Sequence, residues 1–318
     1  MEKTILIFRI KTSRLKARSL ALEEVKSFLS DVENVEVVIG GPLSTEKGII
    51  AAYLPKNFDT DVLAPDFSRL GYIQQVDQMV QEQRESKNTI KWKGAFYSLE
   101  TIYEEDKEEV RNQAPDKRRF LLPDPTGTLR YVNGYRGDGT GTGKRALPVE
   151  DCKFMLNLSK IKRGQKVLDP FAGAGGIVFA AVQAGLDVYS SDIDPKMQYG
   201  LRDFGSKHHV ADIQKLPFDN NFFDSVVTEA PFDTNVTGNV AEGLAEMQRV
   251  IKPSGYIILM VADHQVEQIR KKAATLGLET YVDQPLDRKG TAVHIFGLKK
   301  KQLNQNELMR AFADTYGR

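Results

Sequence analysis

Residues 167–176, VLDPFAGAGG, carry the residue types best suited to ligand chemistry. A short apolar run ends in an acid, Asp169, and a glycine-rich turn follows. Residues 177–184 then read as a helix of small and apolar residues. Strand, glycine turn and helix are how a doubly wound α/β sheet presents a nucleotide-like ligand at the carboxyl end of its first strand. Gly173, Gly175 and Gly176 let the backbone come close to such a ligand, and the helix amino end offers unpaired N–H groups. Two familiar glycine loops are excluded. A dinucleotide fingerprint needs a glycine where Val178 stands, and a P-loop needs a lysine and a hydroxyl residue where Ile177 and Val178 stand. The same glycines would also suit a tight turn with no ligand.

Further acids fall at the ends of later strands. Residues 187–191 read as a second strand leading to Asp192, a carboxylate suited to accept hydrogen bonds from both hydroxyls of a ribose. Asp194 competes for that role, and Asp192 is favoured by its place at the strand tip. Residues 208–211 read as a third strand ending in Asp212-Ile213, and residues 223–228 as a fourth ending in Glu229-Ala230-Pro231-Phe232.

The D-P-F-x-G-x-G pattern over 169–175 resembles motif I of the S-adenosylmethionine-dependent methyltransferases that modify exocyclic amino groups. The resemblance implies that Asp169, Pro170, Gly173 and Gly175 bound the methionine end of the cofactor. It implies that Asp212 accepts from the adenine amino group while Ile213 packs on the ring. Where this chain has Glu229 to Phe232, that family has Asp, Asn or Ser, then two prolines, then an aromatic residue. An exocyclic amino group is a poor nucleophile because its lone pair is delocalised into the ring. A side-chain oxygen and the first proline's carbonyl accept the amino hydrogens, and the aromatic residue stacks on the base. That is positioning and transition-state electrostatics more than base catalysis. Glu229 is one methylene longer than the usual acid, and Ala230 replaces the first proline, so its backbone is expected to be less constrained. Pro231 and Phe232 match.

The 318 residues are 41% hydrophobic and 27% charged, an ordinary globular composition long enough for one large domain and a smaller one. The net charge of +1 provides no global field for nucleic acid, so any basic surface is local. One cysteine, Cys152, excludes an intramolecular disulfide and a cysteine-rich zinc site, and the four histidines lack metal-ligand spacing. No apolar stretch approaches the roughly 20 residues of a membrane span. The first residues have neither the long apolar core nor the cleavage site of a signal peptide. These features predict a cytoplasmic protein with no membrane partner.

The elements that must position the site follow from periodicity. Helices are expected over 149–158, 240–251 and 264–276, with strands over 166–169, 256–261, 278–282 and 292–298. This predicts a Rossmann-like α/β sheet of seven strands, the last antiparallel. Upstream, strands are expected at 4–10, 35–39 and 48–54, a helix at 16–30, and one or two helical pieces within 61–79, which resembles part of a ferredoxin-like α+β module. Arg9, Lys11, Arg14, Lys16 and Arg18 form a basic cluster with no acid among them. It suits phosphate contact with RNA as well as it suits a solvated strand-to-helix junction. Residues 81–119 are highly charged and read as an exposed helix or connector; their aromatics Trp92, Phe96, Tyr97 and Tyr103 are expected to pack on the neighbouring domain. Within residues 123–148, the glycines at 137, 139, 141 and 143 beside Arg136, Lys144 and Arg145 suit covering a cofactor or contacting phosphate, and they also suit a mobile linker.

The domain order expected is therefore 1–85, a ferredoxin-like RNA-binding domain; 86–145, a linker; 146–300, the methyltransferase domain; and 301–318, a tail. The DPFAGAGG run, the preceding LPVEDCKFMLNLSKIKRGQKV and, more weakly, SRLGY at 68–72 resemble the archaeal and eukaryotic tRNA guanosine-N2-methyltransferases. Those carry a ferredoxin-like region and a THUMP RNA-binding domain before the catalytic domain. The resemblance implies methyl transfer from S-adenosylmethionine to guanine N2 in tRNA, with the target base unpaired or flipped. It leaves room for a small activating protein subunit. Two alternatives remain open at this point: a non-catalytic RNA-binding scaffold that keeps the fold, and a DNA or protein methyltransferase.

Overall fold

The computed structural model describes residues 3–114, 116–133, 146–288 and 291–301. The amino-terminal unit begins with β1 (Thr4–Ile10), α1 (Arg18–Phe28), β2 (Glu36–Ile39), β3 (Ile49–Leu54) and β4 (Ile73–Glu82). Their sheet order is β2-β3-β1-β4, with every neighbouring pair antiparallel. This is the strand order of a ferredoxin-like module whose second helix is reduced to two short 3-10 turns, Thr60–Val62 and Ala64–Arg69. The helical pieces expected within 61–79 are therefore these turns, and the rest of that stretch enters β4.

The expected linker is not one throughout. Residues 90–104 form β5 (Ile90–Trp92) and β6 (Ala95–Glu104), and β6 pairs with β4 to extend the same sheet to six strands. The sheet coils strongly enough for Trp92 on edge strand β5 to stack on Tyr53 of β3, ring centroids 5.9 Å apart. Inside this coil lies a separate small core of Ile5, Ile7, Leu43, Ile49, Ala51 and Met79. The aromatics of 92–97 thus pack within their own domain. The charges that suggested a connector lie along a strand with one wet face, as antiparallel sheets allow. The acid-rich stretch after it does form a helix, α2 (Lys107–Asn112), capped by Asp106 accepting from the amides of Glu108 and Glu109. A hairpin, β7 (Arg119–Pro123) and β8 (Leu129–Asn133), completes the region.

The second unit contains α3 (Val149–Leu158), β9 (Lys166–Asp169), α4 (Gly176–Gln183), β10 (Asp187–Asp192), α5 (Met197–Asp203) and β11 (Lys207–Val210). It continues through β12 (Phe223–Glu229), α6 (Thr237–Val250), β13 (Ile251–Ala262), α7 (Val266–Thr275), β14 (Leu278–Arg288) and β15 (Thr291–Lys300). Its seven strands run β11-β10-β9-β12-β13-β15-β14, and β15 is antiparallel to both neighbours. The strand order reverses between β9 and β12, where such sheets open a crevice at their carboxyl ends. Successive strand residues serve opposite layers, which explains the near-continuous apolar runs. Leu168, Val226 and Ile257 meet α6 and α7, whereas Val167, Val227 and Ile258 meet α3 and α4.

The two units share one core. Tyr72 stacks flat on Phe154 at 4.3 Å, and its hydroxyl donates to Asp151 at 2.9 Å. Fully buried Glu24 accepts from the amides of Gly71 and Tyr72 and from the Asn157 side chain. Gly71 approaches so closely that a Cβ there would lie 2.1 Å from the Glu150 carbonyl oxygen. Helix α3 of the second unit is therefore packed directly against the amino-terminal unit. No helix among the described residues is long and apolar enough to cross a membrane.

Candidate active site

The carboxyl ends of β9, β10 and β12 bring three acids together. Asp169 is buried at the tip of β9, and its Oδ1 accepts from Thr228 Oγ1 at 2.7 Å and from the Phe171 amide at 3.3 Å. Burial pushes its carboxyl up to about 7 against the pull of those hydrogen bonds, and Asp192 and Glu229 add smaller upward pressure. Asp192 ends β10, with Oδ2 accepting from the Gly173 amide and Oδ1 from the Asp194 amide, at 2.8 and 2.9 Å. These bonds orient the Asp192 carboxylate. Asp194 caps the next turn through the Lys196 amide instead.

The glycines divide into two roles. Gly173 has φ +48° and open space beyond it, the nearest atom to an added Cβ being the Phe171 carbonyl oxygen at 3.9 Å. Gly175 has φ +71°, and an added Cβ would press on Phe204 and Leu201 at 3.0–3.1 Å. At Gly176 it would meet the Leu147 amide nitrogen at 2.8 Å. Gly173 thus faces the site, while Gly175 and Gly176 are needed to seat α4 against α5 and the approach to α3.

Asp212 is exposed and caps its own turn through the Gln214 amide. Ile213 is buried against Gly243, where a Cβ would come within 2.4 Å of its side chain. Glu229, half-buried, lies opposite Met260 at the end of β12. Ala230 continues the strand for one more residue, its amide donating to the Met260 carbonyl at 2.9 Å. A proline at this position has no N–H to do so. The backbone that alanine was expected to loosen is fastened to β13. The next carbonyl, of Pro231, accepts from the Gln265 side-chain amide at 2.9 Å. Gln265 is fully buried, and its Oε1 accepts from the Ala262 amide. Phe232 is half-buried beside the core on the α3 side of the sheet. Gln265 and Thr228 escaped sequence reasoning because each acts through a partner distant in sequence. Pro170 is buried, its carbonyl accepting weakly from Ser191 at 3.4 Å.

The basic cluster does not stay together as a phosphate surface. Arg9 pairs with Asp77 and Glu46, both at 2.8 Å. Lys11 is buried with Glu105, and Arg14 holds Asp151 at 2.9 Å and Glu150 at 3.1 Å while lying over the Tyr72 ring. Acids distant in sequence consume these three cations, leaving Lys16 and Arg18 exposed. Arg136, Lys144 and Arg145 lie outside the described residues. Among the described residues no cluster of histidine, cysteine and acid side chains can hold a metal ion.

An acid-lined crevice beside an open glycine turn fits a cationic, nucleotide-like ligand. S-adenosylmethionine, with its sulfonium and ammonium charges, has that chemistry. Comparison with known proteins agrees. Residues 168–259 match a family described as a methyltransferase domain. A probable tRNA (guanine(10)-N2)-dimethyltransferase of Methanothermococcus thermolithotrophicus is 30% identical over 120 residues, covering 33% of this chain and 74% of that protein. The tRNA (guanine(10)-N2)-dimethyltransferase of Methanothermobacter thermautotrophicus is 29% identical over 174 residues, 51% of this chain but 45% of that protein. The chain thus spans less than half the length of that second relative. The crystal structure of TrmN from Thermus thermophilus aligns over 94% of this chain and all of its own, with a TM-score of 0.50 at 14% identity, a likeness of fold.

Proposed function

We propose, on the premise that the chain belongs to the family of the tRNA (guanine(10)-N2)-dimethyltransferases within the S-adenosylmethionine-dependent methyltransferases, that it methylates the exocyclic N2 amino group of a guanine in tRNA. The observation that carries this reading is the fastening of Ala230 and Pro231. Their backbone is held by Met260 and Gln265 at the mouth of the crevice that Asp169 lines.

The cofactor, when bound, supplies an electrophilic methyl group on a sulfonium. The chain's residues do the rest. Gly173 and the carboxylates of Asp169 and Asp192 receive the cofactor, and Asp169 reaches full ionisation beside its positive charge. Asp212 and Ile213 serve the adenine end. Glu229 and the Ala230 carbonyl accept the two amino hydrogens of the base, which directs the nitrogen lone pair at the methyl group. Phe232 stacks on the base and fixes its plane. The gain comes from orientation and from acceptors already in place. Lys16 and Arg18, with Arg136, Lys144 and Arg145, are assigned to the RNA backbone, and the amino-terminal unit to holding the tRNA.

The test is methyl transfer from labelled S-adenosylmethionine to unmodified tRNA, followed by nucleoside digestion. Label in N2-methylguanosine supports the reading. Cofactor binding without transfer to tRNA overturns it for the chain alone and directs the same assay to the chain with a small activating subunit, to DNA and to protein.

A further inference from the structure

Arg118 precedes the β7–β8 hairpin and is only 7% exposed. Both of its terminal guanidinium nitrogens are buried without a hydrogen-bond partner. Burial pulls its proton affinity down, and among the described residues only the field of Cys152 opposes that. An arginine keeps its charge regardless, and an uncompensated buried charge is strongly destabilising. Several other arginines are compensated. Arg9, Arg14, Arg249 and Arg270 each hold a carboxylate within 3.1 Å.

The position of Arg118 indicates what it awaits. Its guanidinium lies over the Phe179 ring, 4.9 Å from the centroid. Phe179 occupies the first turn of α4, its amide donating to the Gly175 carbonyl. On the other side stands Cys152, near the start of α3, which donates to the Leu147 carbonyl. Leu147 is the residue against which Gly176 packs. The fields of Arg118, Asp169 and Glu229 all reach the Cys152 thiol, so these groups share one neighbourhood. A fixed cation thus stands on the helix side of the glycine turn, and three acids stand at the strand tips.

We propose that Arg118 anchors the α-carboxylate of the cofactor's amino-acid end, an assignment that rests on the methyltransferase reading. A guanidinium fork matches a carboxylate with two parallel charge-assisted hydrogen bonds. The ligand is a zwitterion, and cation and acids on opposite sides of one turn complement it. Arg118 is therefore a binding and positioning residue that distinguishes S-adenosylmethionine from ligands lacking the carboxylate.

The experiment is a cycle between protein and ligand. S-adenosylmethionine and its decarboxylated analogue are titrated calorimetrically into wild type, Arg118→Met and Arg118→Lys, and each ligand-free protein is melted. Wild type should lose about 10- to 100-fold in affinity on decarboxylation of the ligand. Arg118→Met should show the same loss on S-adenosylmethionine itself and bind the two ligands equally, with Arg118→Lys between. Ligand-free Arg118→Met should melt above wild type, because the unpaired charge is gone. Wild type binding both ligands equally overturns the assignment and leaves the methyltransferase reading intact. So does Arg118→Met that discriminates as wild type does. Wild type binding neither ligand overturns the methyltransferase reading itself. Should Arg118→Met not fold, its melting prediction has failed, and Arg118→Lys still reads the ligand difference.

Discussion

The Ala230 amide donates to the Met260 carbonyl at 2.9 Å, carrying the β12–β13 ladder one residue beyond Glu229. Family members with proline here stiffen this backbone with a ring, and this chain does so with a hydrogen bond. Restoring the proline removes that donor and leaves the Met260 carbonyl without it. Ala230→Pro should therefore cost about 1 kcal/mol of stability, read from denaturant midpoints, and should lower the transfer rate rather than raise it. A faster enzyme would show that ring rigidity matters more than the ladder.

Gln265 fastens the other side of the same turn through the Pro231 carbonyl. Gln265→Leu leaves both the Pro231 carbonyl and the Ala262 amide unsatisfied, at about 1–3 kcal/mol. Because Gln265 reaches the motif from the opposite side of the acid cluster, cofactor affinity should hold while kcat falls. Equal loss of both would place Gln265 in cofactor binding.

On the proposed assignment, Asp169 should make cofactor binding depend on pH. Its folded value of about 7 lies above the ordinary 3.8, so the ligand-free fold binds a proton that the unfolded chain has already released. Ligand-free stability should fall as pH rises from about 4 to about 7, and Asp169→Asn should flatten that slope. A bound sulfonium and ammonium favour the ionised carboxylate, so below pH 7 binding must expel a proton. Affinity should rise with pH up to about 7 and then level. Calorimetry in buffers of differing ionisation enthalpy reads the proton directly, and no buffer dependence at pH 6 would contradict the assignment.

Gly175→Ala and Gly173→Ala should separate packing from binding. Both impose a left-handed backbone on a side chain, at roughly 1 kcal/mol. Only Gly175 adds pressure on Phe204 and Leu201, so its variant should melt lower. Gly173→Ala, whose Cβ points into open space, should keep most of its stability and lose cofactor affinity. The opposite ranking would reverse the two roles.

Trp92→Ala tests the coiled amino-terminal sheet. Loss of the Tyr53 stack should release the β5–β6 hairpin, with faster amide exchange over residues 90–104 and little change in cofactor affinity. Exchange unchanged across that hairpin would mean that the stack does not hold it.

Much of the catalytic unit is written locally. A strand tip, its acid and the glycine turn after it are neighbours in sequence, so the strand ends that carry Asp169, Asp192 and Glu229 were legible before the fold was known. Apolar patterning likewise marked the seven strands and the helices α3, α4, α6 and α7, but not α5. What only the tertiary structure decided is which partners distant residues acquire. Arg9, Lys11 and Arg14 read as a basic surface until Asp77, Glu105 and Asp151 arrive from remote parts of the chain. Residues 90–104 read as a charged connector until β4 offers its edge. Gln265 and Arg118 carry no motif; one is significant for the carbonyl it meets and the other for the anion it lacks. Periodicity and turn chemistry act through adjacent residues and are visible in sequence. Burial and charge pairing join residues tens of positions apart, and exist only once the sheet has closed around them.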